Sequence, residues 1–292
     1  MTEAVAMPTG IVASDTDRSE LPVWRLLLGR PTFLAGAVIL LFWVVCAIFG
    51  TSIAPHDPLA QQLLATNQAP SAAHWFGTDQ LGRDVLSRVI VGSQTILIIA
   101  PLATAVGAVL GTALGLALGY LGGVVDLLTS RIVEAVLALP ALLIIFLFMV
   151  ALGVSTVTQI LVIGFIFTPL IARTVRSAVQ QESQLDYVPG ARLLGERSAR
   201  IMFVEILPNV IPTVVVEFTV RLGYAIFAVA SLAFLGFGVQ LSTPNWGTDI
   251  NANYGLLGAG YWWESLFPAL AIASLIIAIN LVADAIEQVL AG

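Results

Sequence analysis

A chain of 292 residues that is 58% hydrophobic and only 10% charged, with mean hydropathy +0.96 and formal charge −6, is too apolar for a water-soluble domain, which carries about 25% charged residues. All 12 basic residues are arginine, so the chain lacks the lysine with which a Walker A loop reaches nucleotide phosphates, and any ATP-driven activity requires another chain. These features exclude a self-contained ATPase and a soluble enzyme, and point to a polytopic helical membrane protein with no nucleic-acid partner.

The first thirty residues mix Asp15, Asp17, Arg18 and Glu20 with small side chains and contain no short apolar stretch of the kind found in cleavable signal peptides. Residues 1–30 are therefore expected to form a disordered cytoplasmic tail, and residues 31–292 a membrane domain.

A helix needs about 20 apolar residues to cross the hydrocarbon core, where water cannot satisfy a non-helical backbone. Charged residues divide the chain into uncharged windows. Pro31 to His56 holds one span, and Val89 to Val125 holds a second that ends near Gly119. Ala135 to Ala172 is 38 residues, enough for two spans broken at Leu152-Gly153-Val154-Ser155-Thr156. A fifth span runs from about Ile206 to Gly238 and a sixth from about Ser265 to Leu290. The predicted fold is thus all-α with six transmembrane helices.

Arginine bias orients them. With the N-terminus inside, Arg18, Arg25, Arg30, Arg131, Arg173, Arg176, Arg192, Arg197 and Arg200 face the cytoplasm, while Arg83 and Arg88 fall outside and Arg221 lies within a span. Both termini are then cytoplasmic. Residues 55–88 form an outer loop, 173–205 an inner loop and 239–264 an outer segment. Trp75, Phe76, Trp246, Trp262 and Trp263 suit the membrane interface.

Several side chains are candidates for chemistry. Gly107, Gly111, Gly115 and Gly119 recur every four residues, a register that lets helices pack closely in lipid. Pro101, Pro140, Pro208 and Pro212 are expected at kinks or helix ends. Glu217 and Arg221 stand one turn apart in the fifth span. They either neutralise each other or mark a translocation path. Glu134 is expected to pair with Arg131. The Asp84/Arg88 pair suits a short amphipathic surface helix with Leu81, Val85 and Val89 on one side. His56 and His74 are read as water-satisfied loop residues. With a single cysteine, Cys46, they offer few ligands, and no metal is expected. Neither H-E-x-x-H nor G-x-S-x-G occurs.

The inner loop is the most informative stretch. Asp186-Tyr187-Val188-Pro189-Gly190-Ala191-Arg192-Leu193-Leu194-Gly195 reads as a short helix with Asp186 as its cap, Pro189 in its first turn and Gly195 at its end. A small cytoplasmic helix between two spans can dock into a groove on a soluble partner.

This loop, closed by Leu207-Pro208-Asn209, has the spacing of the EAA motif. The outer stretch His74 to Arg88, the stretch Ser231 to Gly238 continuing through Gln240 to Trp246-Gly247, and the pairs Trp262-Trp263 and Phe267-Pro268 with Asn280 to Ala285 follow in matching order. On these residues the chain resembles the C-type membrane permeases of bacterial ABC importers for dipeptides, oligopeptides or nickel. Two departures stand out: the EAA triplet reads Pro189-Gly190-Ala191, and Glu205 replaces a frequent histidine.

The resemblance implies a type I importer permease fold in the bacterial cytoplasmic membrane. It implies a related second permease, two cytoplasmic ATPases that bind ATP and Mg in place of any cofactor in this chain, and an extracytoplasmic binding protein. It also implies that a helix from about Asp186 to Ala199, with Asp186–Gly195 as its motif residues, couples the ATPases to the spans and that short peptides are carried. An ion-coupled transporter or channel using Glu217 and Arg221 is the rival reading.

Overall fold

The computed structural model describes residues 23–238 and 243–290. Residues 1–22 of the tail expected at 1–30 and the Val239–Ser242 part of the outer segment, Gln240 included, lie outside the described residues. Part of the predicted tail is ordered: Val23–Leu28 forms α1, which lies near the C-terminal helix, and Arg30 Nη1 donates to Gln288 Oε1 there.

Among the described residues, five helices are long and apolar enough to cross a membrane. They are α2 (Pro31–Ile53), α3 (Val85–Leu121), α6 (Thr156–Glu182), the continuous helix Ser198–Phe237 and α11 (Trp263–Leu290). The fourth of these comprises α8 (Ser198–Arg200), a π-helical stretch at Ile201–Ile206, α9 (Leu207–Leu232) and a second π-helical stretch at Ala233–Phe237. Gly236, at φ 90, kinks its end.

The 135–172 window breaks where expected. Gly153 takes φ 82, and Ser155 caps α6 by accepting a hydrogen bond from Thr158 N. The first half differs from expectation, because Pro140, which lacks an N–H, separates α4 (Gly123–Leu137) from α5 (Ala141–Leu152). Twelve residues rise only about 18 Å, so α5 alone is too short to cross.

The tightest packing is between α3 and α6, and the glycine stripe is its cause. A Cβ placed on Gly107, Gly111, Gly115 or Gly119 would stand 2.7–2.9 Å from α6 atoms, including Ile171, Val175 and Val179 side chains. Gly164 answers from α6, where a Cβ would meet Ala103 O and Val106 at 2.8 Å. Absent side chains let the backbones approach, and dispersion replaces the hydrophobic drive that lipid cannot supply.

The chain from residue 243 to α11 folds back onto the spans. α10 (Trp246–Asn253) starts at Asn245, whose side chain accepts from Gly247 N, and Trp246 is fully buried with Nε1 donating to Val89 O at 2.7 Å. Trp263 is also buried and donates to Thr78 O at 3.1 Å. The expected aromatic belt is therefore reduced to Trp75 and Trp262, which stay exposed. The other two indoles meet buried carbonyls, the partner an indole N–H requires away from water.

Candidate functional site: the helix between two spans

The inner loop folds as α7 (Tyr187–Leu193), shorter than the helix expected to reach Ala199. Its end is a complete Schellman motif: Gly195 N donates to Arg192 O at 3.0 Å and Glu196 N to Ala191 O at 3.1 Å, with Gly195 at φ +78. Ser198 already belongs to the next helix. Asp186 precedes α7 in helical geometry, and its side chain makes no cap hydrogen bond, contrary to expectation. With φ −55 and ψ −27, its backbone lacks the extended conformation that aims an N-cap side chain at the following amides.

α7 is held from beneath and open above. Val188 is fully buried in the core. The Tyr187 hydroxyl donates to Glu182 Oε1 at 2.8 Å and accepts from Asn209 Nδ2 at 3.1 Å, so one phenol ties the end of α6 to the start of α9. Burial first, then the hydrogen bond to Glu182, pushes this phenol above the usual tyrosine range and keeps it a proton donor. Arg192 lies 4.5 Å over the Tyr120 ring and donates from Nε to its hydroxyl at 3.2 Å, linking α7 to the end of α3. Leu193 and Leu194, by contrast, are 90% and 84% exposed, and Gly190 has open space around it. Two adjacent leucines on a docked, polar-anchored helix form an apolar surface that points away from the fold.

A second tie braces the same end. Arg176 of α6 holds Asp126 of α4 with two hydrogen bonds, the Nη2–Oδ2 one at 2.6 Å, and this guanidinium keeps the Asp126 carboxyl below its usual range. Arg131 and Glu134 pair at 2.9 Å on the surface, as the sequence predicts.

Glu217 and Arg221 meet at 3.0 Å, and Glu217 Oε1 also accepts from Thr174 Oγ1 of α6 at 2.8 Å. The pair is partly buried between α9 and α6 and neutralises itself.

At the opposite end, the Asp84/Arg88 reading is overturned. Both residues open α3, with Asp84 as its N-cap, and residues 81–89 form no helix separate from it. Arg88 is buried, donates from Nε to Asp249 Oδ1 at 3.1 Å and from Nη1 to Pro58 O at 3.1 Å, and also binds Asp249 through Nη2. Asp79 accepts from Arg83 Nε at 2.6 Å and from the backbone amides of Leu81 and Arg83 at 2.9 Å. Burial pushes the Asp249 carboxyl above its usual range, against the pull of Arg88. The i,i+4 spacing of Asp84 and Arg88 hid this, because the partner of Arg88 stands 161 residues away. His56 and His74, expected apart and hydrated, lie together against Asp84.

Residues 111–291 match the family of binding-protein-dependent transport system inner membrane components, and residues 22–70 match the N-terminal TM domain of oligopeptide transport permease C. The chain is 36% identical over 267 residues to the dipeptide transport system permease protein DppC of Bacillus subtilis (strain 168), covering 91% of this chain and 83% of that protein. It is 35% identical over 270 residues to the probable D,D-dipeptide transport system permease protein DdpC of Escherichia coli (strain K12), covering 92% and 89%. It is 36% identical over 271 residues to the glutathione transport system permease protein GsiD of Escherichia coli O1:K1 / APEC, covering 91% and 88%. The resemblance read from the motifs is thereby confirmed at the level of family. With its membrane-length helices and a match over most of its length, the chain belongs to the binding-protein-dependent transport system inner membrane component family, as a multi-pass permease subunit of an ABC importer.

Proposed function

We propose that this permease carries short peptides, coupled to separate ATPase subunits through Asp186–Gly195 and itself without catalytic activity. The observation that carries the reading is α7 itself: a short helix fixed to three spans by Tyr187 and Arg192, yet presenting Leu193 and Leu194 outward. An apolar knob on a rigid base suits insertion into a groove on a partner surface. The dipeptide and glutathione transport named for its relatives supports a peptide cargo.

The assembly has this chain beside a related second permease, two cytoplasmic ATPases that bind ATP and Mg, and an extracytoplasmic binding protein. α5, extended through the Pro140 joint by the end of α4 from about Ala135, supplies the sixth crossing, and both termini face the cytoplasm. ATP-driven closure of the ATPases moves α7. Because Tyr187 bonds to Glu182 at the end of α6 and to Asn209 at the start of α9, that motion is delivered to two spans at once. ATP binding shifts access only to the extent that the closed ATPases fit one arrangement of α7 better than the other. Glu217 and Arg221 belong to the wall of the path, as a neutral pair that adds polarity without net charge.

The test is reconstitution of all subunits in proteoliposomes with a labelled dipeptide. ATP-dependent uptake that a Gly195→Val variant loses, while ATP hydrolysis continues, supports the reading. Uptake that persists without the ATPases overturns it in favour of ion coupling.

A further inference from the structure

We propose that His56, His74 and Asp84 form a binding site for a first-row transition-metal ion of the Zn2+ type, at the corner where the chain after α2 meets the start of α3. The chain has only two histidines, and both are in this corner although 18 positions separate them. One ligand atom from each of His56, His74 and Asp84 lies within 4.8 Å of the other two.

The division of labour on Asp84 is what shapes the site. Its Oδ2 is occupied as the α3 cap, accepting from Ser87 N at 2.8 Å and Ser87 Oγ at 2.6 Å. Its Oδ1 is left facing the imidazoles, 2.9 Å from His74 Nδ1 and 3.7 Å from His56 Nδ1. Ligand atoms at about 2.0–2.2 Å from a tetrahedral ion stand about 3.3 Å apart, between these two distances. Two imidazoles and a carboxylate with room for water form a donor set suited to Zn2+, Co2+ or Cu2+ rather than Mg2+ or Ca2+.

The donors are also held in place. His74 and Asp84 are buried. The backbone of His56 is fixed by its N–H donating to Ser87 Oγ at 3.0 Å, the same hydroxyl that donates to Asp84. His56 keeps 39% of its side-chain surface exposed, yet its Nδ1 is turned inward and has no hydrogen-bond partner among the described residues. An inward, unpartnered nitrogen on a ring with one exposed edge leaves a path for an ion and a coordination position for water. His74 Nδ1 would bind as the acceptor, with its proton on Nε2. The bound ion would pin residues 56–58 to the N-terminus of α3.

The test is Co2+ titration of the full-length chain in detergent, carrying no histidine tag and read by the cobalt ligand-field absorption, with Zn2+ displacing the signal. One equivalent of Co2+ is expected to bind wild type in tetrahedral form. His56→Phe, which leaves the His74–Asp84 bond intact, should weaken binding by at least about tenfold, and His56→Asn should do the same. Zn2+ should raise the unfolding temperature of wild type and not of either variant. If wild type shows no tetrahedral cobalt band, or both variants bind cobalt as wild type does, the corner is a hydrogen-bonded structure only and the proposal fails.

Discussion

The Tyr187 hydroxyl accepts from Asn209 Nδ2 at 3.1 Å while donating to Glu182 at 2.8 Å, so two spans share one side chain of the short helix between them. Tyr187→Phe keeps the ring and removes both bonds. It should loosen α7 by about 1 kcal/mol, seen as faster hydrogen exchange across residues 187–193 with unchanged exchange in α3. The raised phenol pKa adds a pH signature. The contribution is complete below the ordinary value of 10.0 and is lost as pH rises through the higher folded value. The Phe variant should not show that loss.

Arg88 and Asp249 are both buried, and Asp249 Oδ2 has no partner among the described residues. Removing the guanidinium strands the carboxylate. Arg88→Met should therefore cost about 3–5 kcal/mol, measured by thermal unfolding in detergent, and Arg88→Met combined with Asp249→Asn should cost less than Arg88→Met alone.

The α3–α6 contact has no room at its glycines. Gly111→Val, whose Cβ would begin 2.7 Å from Ile171 Cβ, should destabilise by about 1–3 kcal/mol or more through overpacking. Gly190→Ala is the contrast: nothing lies within 4 Å, and the helical site gains up to about 1 kcal/mol of propensity. Thermal unfolding of the two variants should move in opposite directions.

Asp126→Asn should lower stability near pH 7 by about 1–2 kcal/mol, since it weakens a charged hydrogen-bond pair with Arg176. The wild-type carboxyl sits below its ordinary value of 3.8, so its contribution is present above that value and disappears as pH falls through the lowered one. The gap between wild type and variant should close in that acidic range, as followed by unfolding temperature against pH.

Much of the fold was legible because lipid imposes local rules. Uncharged windows located most of the long helices, the four-residue glycine register marked α3 as a close-packing helix, and Gly195 marked the end of α7. What escaped depends on contacts between distant positions. Arg88 read as a partner of Asp84 because i,i+4 spacing is visible, whereas Asp249 is not. Trp246 and Trp263 read as interfacial because the carbonyls of Val89 and Thr78 that receive their N–H groups lie far along the chain. His56 and His74 read as solvated because nothing local shows a loop returning onto its own helix cap. Within the candidate site, the outline of α7 was legible from Pro189 and Gly195. Its anchoring through Tyr187 to both flanking spans was not.

The most direct test of α7 as the coupling element is crosslinking from its exposed leucine. A Leu193→Cys variant in a Cys46→Ala background, assembled with the second permease and the ATPases, would be treated with a short thiol-specific crosslinker. Coupling through α7 predicts a covalent adduct between this chain and an ATPase subunit, with reduced transport once it forms. An assembled complex that yields no such adduct, and transports as well with a bulky label on the introduced thiol as without it, would show that α7 is not the coupling element.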